Sequence, residues 1–181
     1  PLELIVATIL SAQCTDRRVN VVTKTLFARY RSAADYAESD TAELESIIRS
    51  AGFFRSKAKS IQETARALVS RFGGRVPATM PDLLTLRGVA RKTANVVLGT
   101  AYGKAEGVVV DTHMKRVGFR LGLTDETDPV KVERDLMDCV PREEWIYFGH
   151  AMIWHGRRIC KAQSPDCPNC PLRSFCPKRG V

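Results

Sequence analysis

Residues 86–95 read LRGVARKTAN, and they place a lysine, Lys92, where a glycine turn hands over to a helix. That end of a helix is electrically positive, because its first N–H groups lack intrahelical acceptors and its aligned peptide dipoles amount to about half a positive charge. An ammonium is disfavoured there. A lysine so placed is either an accident or a nucleophile, since attack requires a free amine. A short helix, the tight LRGVA link and a second helix together look like a helix-hairpin-helix, which offers backbone N–H groups to a phosphate without reading sequence. Gly88 lets the backbone approach closely. Taken alone, the same turn also serves as a plain helix-helix connection.

Outward from the turn, nearly every segment carries helix punctuation, and the predicted class is all-α. LELIVATILSA at residues 2–12 is apolar all round and reads as a buried helix ending near Gln13. Asp16 is the expected cap of a second helix bearing Val19, Val22, Leu26 and Tyr30 at helical spacing. Asp40 and Glu43 make a capping-box pattern for a third, which Gly52 stops. Ser56 to Phe72 carries Ile61, Ala65, Leu68 and Phe72 on one face, halted by Gly73 and Gly74, and a short helix begins near Pro81. The helix after the turn spans about Arg91 to Tyr102, and GKAEG at 103–107 marks a domain boundary, giving expected domains of 1–104 and 105–181. VVVD at 108–111 is the only strand-like run and is too short to imply a sheet. Asp128 with Pro129 starts another helix, and Glu143 to Ile159 forms the last long one.

With 181 residues, 44% of them hydrophobic, the chain is globular, and a net charge of +8 favours a polyanionic partner, nucleic acid first. The apolar opening lacks a basic leader segment and is too short to cross a bilayer, so an intracellular protein with no membrane partner is expected. Pro1 in place of an initiator Met suggests a stretch that starts inside a longer chain.

Four of the six cysteines fall in the tail CKAQSPDCPNCPLRSFC, where Cys160, Cys167, Cys170 and Cys176 have the spacing C-x6-C-x2-C-x5-C. That is a ligand set. Disulfides would need an oxidising compartment, which nothing here supports. Zinc competes, but its sites usually draw two C-x2-C pairs from separate knuckles, whereas one tract with unequal loops better suits the corners of a cubane iron-sulfur cluster. A structural or DNA-positioning role for that group is preferred to electron transfer, because no dinucleotide-binding glycine pattern accompanies it. Arg157, Arg158, Lys161, Arg173, Lys178 and Arg179 surround the tract and suit phosphate contact or a solvated face. Cys14 and Cys139 stand apart and read as small buried hydrophobes.

The combination RGVARKTANVVL, VDTH, HGRRIC and the cysteine tract, with LSAQCTD near the start and GFFRSKA in the middle, closely resembles the endonuclease III family of DNA glycosylases. The likeness runs over essentially the whole chain. It implies a helix-hairpin-helix glycosylase fold: a six-helix barrel over 1–104, a 4Fe-4S cluster domain over 105–181, and damaged double-stranded DNA bound in the cleft between them. It also implies a cytoplasmic, nucleoid-associated protein acting as a monomer. The family's cluster domain includes an N-terminal helix that this stretch lacks.

The implied chemistry is removal of an oxidised or ring-saturated pyrimidine such as thymine glycol, flipped from the stack. By similarity, Lys92 attacks the anomeric carbon, expels the base, forms a Schiff base and permits β-elimination. Asp111, read from sequence as a helix N-cap, stabilises the developing positive charge. Gln13 fills the hole left by the flipped base, and Phe53 wedges into the opposite strand, although its composition alone suits a core residue equally. Arg87, Gly88, Ala90 and Arg91 at the hairpin and Lys161 at the tract are the expected backbone contacts. His113 and His155 are assigned packing or hydrogen bonding. The usual family turn is LPGVGRK, so Arg87 and Ala90 depart from it. If position 90 needs positive φ, alanine costs about 1 kcal/mol, while Arg87 offers an added phosphate contact. Two rivals remain: an adenine glycosylase acting on mismatches, which would lack the nucleophilic lysine, and a non-catalytic, metal-capped DNA-binding module.

Overall fold

The computed structural model describes all 181 residues and is helical throughout, without a strand. The VVVD run forms no strand. No helix is long and apolar enough to cross a membrane. The chain divides into two compact units, Pro1–Tyr102 and Gly103–Val181.

The first unit contains α1 (Leu2–Ser11), α2 (Asp16–Arg29), α3 (Ala33–Ala37), α4 (Thr41–Ile48), α5 (Phe54–Phe72), α6 (Met80–Leu84) and α7 (Arg91–Tyr102), with a 3-10 turn at Arg49–Ala51 after α4. Its core takes in Ile5 and Leu10 of the expected buried helix α1 and the predicted stripe residues Leu26 of α2 and Ile61 and Leu68 of α5, joined by Leu44 and Ile48 of α4 and Leu98 of α7, all essentially inaccessible. Burying one such side chain stabilises by about 1.5–3 kcal/mol. The long helix α5 is the axle of this unit and packs against α1, α3 and α4. It ends as its glycines require, with Gly73 at φ 59° and the Gly74 amide donating back to Leu68 O at 2.9 Å.

Three local expectations change. Thr15, not Asp16, caps α2, its side chain accepting from the Arg18 amide, while Asp16 is the first helical residue. Asp40 does cap α4 through the Glu43 amide at 2.8 Å. The Glu43 carboxylate, however, turns to Arg29 at 2.7 Å, so half of the predicted box is absent. A complete capping box sits instead on the unforeseen α3. There the Asp35 amide donates to Ser32 Oγ at 3.1 Å, and Asp35 Oδ2 accepts from the Ser32 amide at 2.9 Å.

The second unit contains α8 (Thr112–Leu121), α9 (Pro129–Cys139) and α10 (Trp145–Arg158), with a 3-10 turn at Arg142–Glu144 that takes the start of the predicted last helix. Its core is small: Val108, Val110, Met114, Val117, Val132, Leu136 and Met152. Helices α8 and α10 are closely apposed at Gly156, where an added Cβ would lie 2.9 Å from His113 Cβ. From Ile159 to Val181 the chain forms turns only.

Candidate active site and cysteine cavity

The hairpin turn is held from both sides. Leu86 and Val89 are buried, and their amides donate to Leu83 O at 3.1 Å and Leu86 O at 3.2 Å. From α5, the Thr64 hydroxyl donates to Arg87 O at 2.7 Å. Gly88 is required twice over, having φ +77° and leaving only 3.3 Å between an added Cβ and Ser60 Cβ. Ala90 is not among the residues with positive φ, so the strain considered for an alanine at this position does not arise. Arg87 is ion-paired with Glu63 at 2.8 Å, and a phosphate would have to share it.

Lys92 is exposed in the first turn of α7, immediately after Arg91. Its amine therefore stands at the positive end of a helix whose entry is fixed by the core and by α5. In the second unit, Asp111 is half-buried and caps α8, its Oδ1 accepting from the Met114 amide at 2.8 Å. The cap leaves acceptor capacity on its carboxylate, since each oxygen carries two lone pairs.

Gln13 and Phe53 share an unusual backbone. They are two of four non-glycine residues with positive φ, at 52° and 46°, and both side chains are exposed. Phe53 is 67% accessible, which removes its reading as a core residue. Such φ values cost a non-glycine residue about 1–2 kcal/mol, and they cluster where surrounding structure imposes them for function.

Cys160, Cys167, Cys170 and Cys176 are free thiols lining one open pocket. Val117, Leu121 and Ile159 supply apolar wall, and Arg120, His155 and Arg173 supply donors. The buried Arg120 guanidinium approaches Cys160 Sγ at 3.5 Å and donates to Lys161 O at 2.7 Å and Ala162 O at 3.2 Å. The Lys178 amide donates to Cys176 Sγ at 3.3 Å. His155 Nε2 lies 3.6 Å from Cys170 Sγ, and burial lowers the His155 pKa. Nowhere do three or more His, Cys, Asp or Glu side chains gather tightly enough for a single ion. Four thiols on a partly apolar wall, with N–H donors near two of the sulfurs, are a donor set suited to a metal-containing group.

Of the basic residues around the tract, Arg173 and Lys178 line this cavity and Lys161 is exposed beside it, while Arg158 stacks on Trp154 at 3.8 Å and Arg179 pairs with Asp125. Cys139 is exposed and is not the buried hydrophobe expected of it, whereas Cys14 is half-buried and packs against the core of the first unit. His113 meets Arg116 at 3.2 Å, a hydrogen-bonding role like that of His155.

Residues 6–142 match the family described as HhH-GPD superfamily base excision DNA repair protein. Endonuclease III of Synechocystis sp. is 55% identical over 98% of this chain and 81% of its own length, and that of Bacillus subtilis is 49% identical over 97% and 80%. The chain belongs to the endonuclease III family. The solved structure of a non-covalent endonuclease III-DNA complex superposes with a TM-score of 0.91 at 48% identity, covering 97% of this chain and 82% of that one. A trapped endonuclease III-DNA covalent intermediate superposes equally well at 47% identity. A thermostable thymine-DNA glycosylase, at 24% identity and a TM-score of 0.89, shares the fold. This endonuclease III relative is accordingly a base-excision-repair enzyme of the DNA glycosylase and lyase class.

The sequence reading overlooked Arg116 and Arg120, which organise the tract from α8. Arg116 donates to Gly156 O at 2.7 Å and to Cys160 O at 3.0 Å, taking up carbonyls at the end of α10. The available signal was two arginines four apart on a helix with an apolar stripe; the burial of Arg120, 7% accessible, emerges only from the structure.

Proposed function

We propose that this protein removes oxidised or ring-saturated pyrimidines, of the thymine glycol type, from damaged duplex DNA and then cleaves the strand at the abasic site. The observation that carries the reading is Lys92, an exposed amine on the first turn of a helix whose entry is locked by Leu86, Val89 and Thr64. Lys92 Nζ attacks C1′ of the flipped deoxyribose, the C1′–N bond breaks, and the base leaves with the bonding electrons and gains a proton. Nζ loses a proton, and the ring C1′–O4′ bond opens with O4′ taking up a proton. The resulting C1′=Nζ iminium withdraws electrons from C2′, a proton is lost there, and the C3′–O bond breaks by β-elimination, the phosphate leaving with the bonding electrons. A hydroxyl nucleophile would give no such electron sink. Asp111 stabilises positive charge as it develops on the sugar, using carboxylate capacity left over from its cap. That a 47% identical relative was trapped as a covalent intermediate with DNA supports the covalent route.

Gln13 occupies the space of the departed base and Phe53 enters the opposite strand, their exposure and positive φ supporting those roles. Backbone amides around Gly88 and Ala90, with Arg87, Arg91 and Lys161, receive phosphates. The unit Pro1–Tyr102 serves as the barrel domain and Gly103–Val181 as the cluster domain. Cys160, Cys167, Cys170 and Cys176 would hold a 4Fe-4S cluster, supplying a four-thiolate crosslink of the C-terminal turns. Arg120 and the Lys178 amide orient the sulfurs that hold it.

Borohydride trapping tests the reading. Wild type is incubated with duplex DNA carrying one thymine glycol, the reductant is added, and a covalent complex is sought alongside Lys92→Ala. An adduct with wild type that is absent from the variant is the expected result. Tight binding without any adduct would overturn it, pointing to a monofunctional glycosylase or a binding module, and adenine-mismatch DNA would then be the substrate to examine.

A further inference from the structure

We infer that Lys57 is a positioning residue that holds the Gln13 and Phe53 turns in place through one buried ammonium. Lys57 lies in the first turns of α5 and is only 5% accessible. Its Nζ donates to Leu10 O at 2.7 Å and to Ala51 O at 2.9 Å. A buried lysine is costly, and burial lowers its pKa, so its retention requires that these acceptors compensate.

The two acceptors are informative. Leu10 is in the last turn of α1, three residues before Gln13, and Ala51 closes the 3-10 turn two residues before Phe53. Each carbonyl belongs to the negative end of a helical segment, where backbone oxygens lack helical partners and a cation is favoured. A single nitrogen atom thus joins two stretches of chain from which the two exposed, positive-φ side chains project. Neither turn has an intrinsic preference for that backbone, as glycine would, so its geometry must be imposed from outside. No charged side chain faces the ammonium in an ion pair, and its bonds run to main-chain carbonyls on both sides. That is the pattern of a group that sets backbone position.

The inference rests on the roles proposed for Gln13 and Phe53 in opening duplex DNA. Lys57 touches neither the sugar nor Lys92's position on α7, so its loss would impair lesion access and spare the amine chemistry. A single-stranded oligonucleotide with one abasic site needs no base flipped and no gap filled, and it separates the two.

The test uses full-length Lys57→Met, which keeps the side-chain volume and removes both donors. On thymine glycol duplex, kcat/KM is expected to fall up to about 100-fold, the usual penalty of slight misplacement. Cleavage of the single-stranded abasic substrate should stay within about threefold of wild type. In a Gln13→Ala, Phe53→Ala background, Lys57→Met should have little further effect on the duplex, because the side chains it positions are gone. Hydrogen exchange should quicken at residues 11–14 and 51–54 together. An equal fall on both substrates, a full further loss in the double-alanine background, or unchanged exchange at either turn overturns the inference. If wild type itself leaves thymine glycol untouched, the parent reading fails, and hydrogen exchange alone then decides the role of Lys57. Should Lys57→Met not fold, Lys57→Gln, whose amide still serves one carbonyl, carries the same comparisons, and an equal fall on both substrates again rejects it.

Discussion

Asp111 has two roles that an amide separates from a methyl group. Asparagine caps helices as well as aspartate, so in Asp111→Asn the Met114 amide keeps its acceptor and folding is preserved. The charge is lost, and glycosylase activity should fall about 100- to 1,000-fold, the scale at which preorganised electrostatic groups act. Asp111→Ala should add a stability loss of about 1 kcal/mol, lowering Tm by roughly 2–4 °C. Steady-state kinetics with melting curves checks this, and an Asn variant of wild-type activity would leave Asp111 with its cap alone. Asp35 shows the same acceptor chemistry as a stability device. The amides of Arg31 and Ser32 donate to its carboxylate at 2.8 and 2.9 Å and hold its pKa below the ordinary 3.8. With the folded value below the unfolded one, the contribution is complete above the unfolded pKa and disappears as pH falls through the folded one. The Tm difference between wild type and Asp35→Asn should therefore be greatest near neutrality and close below about pH 4, as melting across a pH series would reveal.

At the scale of the element, the joint between α8 and α10 depends on a missing side chain. Alanine is the better helix former and would gain Gly156 about 0.5–1 kcal/mol. Its Cβ, however, would stand 2.9 Å from His113 Cβ and 3.0 Å from Val117 Cγ2. The first of these atoms is fixed to its backbone and does not swing away. Overpacking of this kind costs about 1–3 kcal/mol, so the clash prevails, and Gly156→Ala should lower Tm by several degrees in a thermal melt. The elements were legible where side-chain chemistry is local. Asp128–Pro129 starts α9, Gly73 ends α5, and the stripe Ile61, Ala65, Leu68 faces the core as its spacing requires. Lys57 lies on that same stripe one turn before Ile61, which was the mark of its burial, yet its partners Leu10 and Ala51 lie 47 and 6 residues away and are carbonyls that no side-chain pattern announces. Phe53 stayed open between core and wedge for a related reason. An aromatic residue beside a glycine reads equally as core or surface, and the αL backbone that turns it outward is set by the tertiary structure. The place of Lys92 in the first turn of α7 was legible because it follows from a turn and a helix that the sequence itself writes.

The whole molecule is unequal in its means of support. Unit Pro1–Tyr102 has an extensive core spanning seven helices, whereas Gly103–Val181 buries only seven hydrophobic side chains and ends in more than a dozen residues of turns. A segment with so little apolar burial does not offset its own conformational entropy by core packing, and small domains in that position rely on crosslinks or bound groups. The four free cysteines that line one pocket are placed to supply one: the proposed cluster would tie the end of α10 to turns as distant as Cys176. Removing one corner by Cys170→Ser should therefore cost the two units differently. Visible absorbance from the iron-sulfur group should fall or vanish, and exchange of amides in α8 and α9 should accelerate towards that of an unfolded chain. Amides of α1, α5 and α7 should remain protected, because their burial owes nothing to the tract. Hydrogen-exchange mass spectrometry on the two proteins measures both halves at once. Equal loosening of both units would mean that the chain folds as one cooperative body, and unchanged protection in α8 and α9 would mean that Met114, Val117 and Leu136 suffice without any bound group.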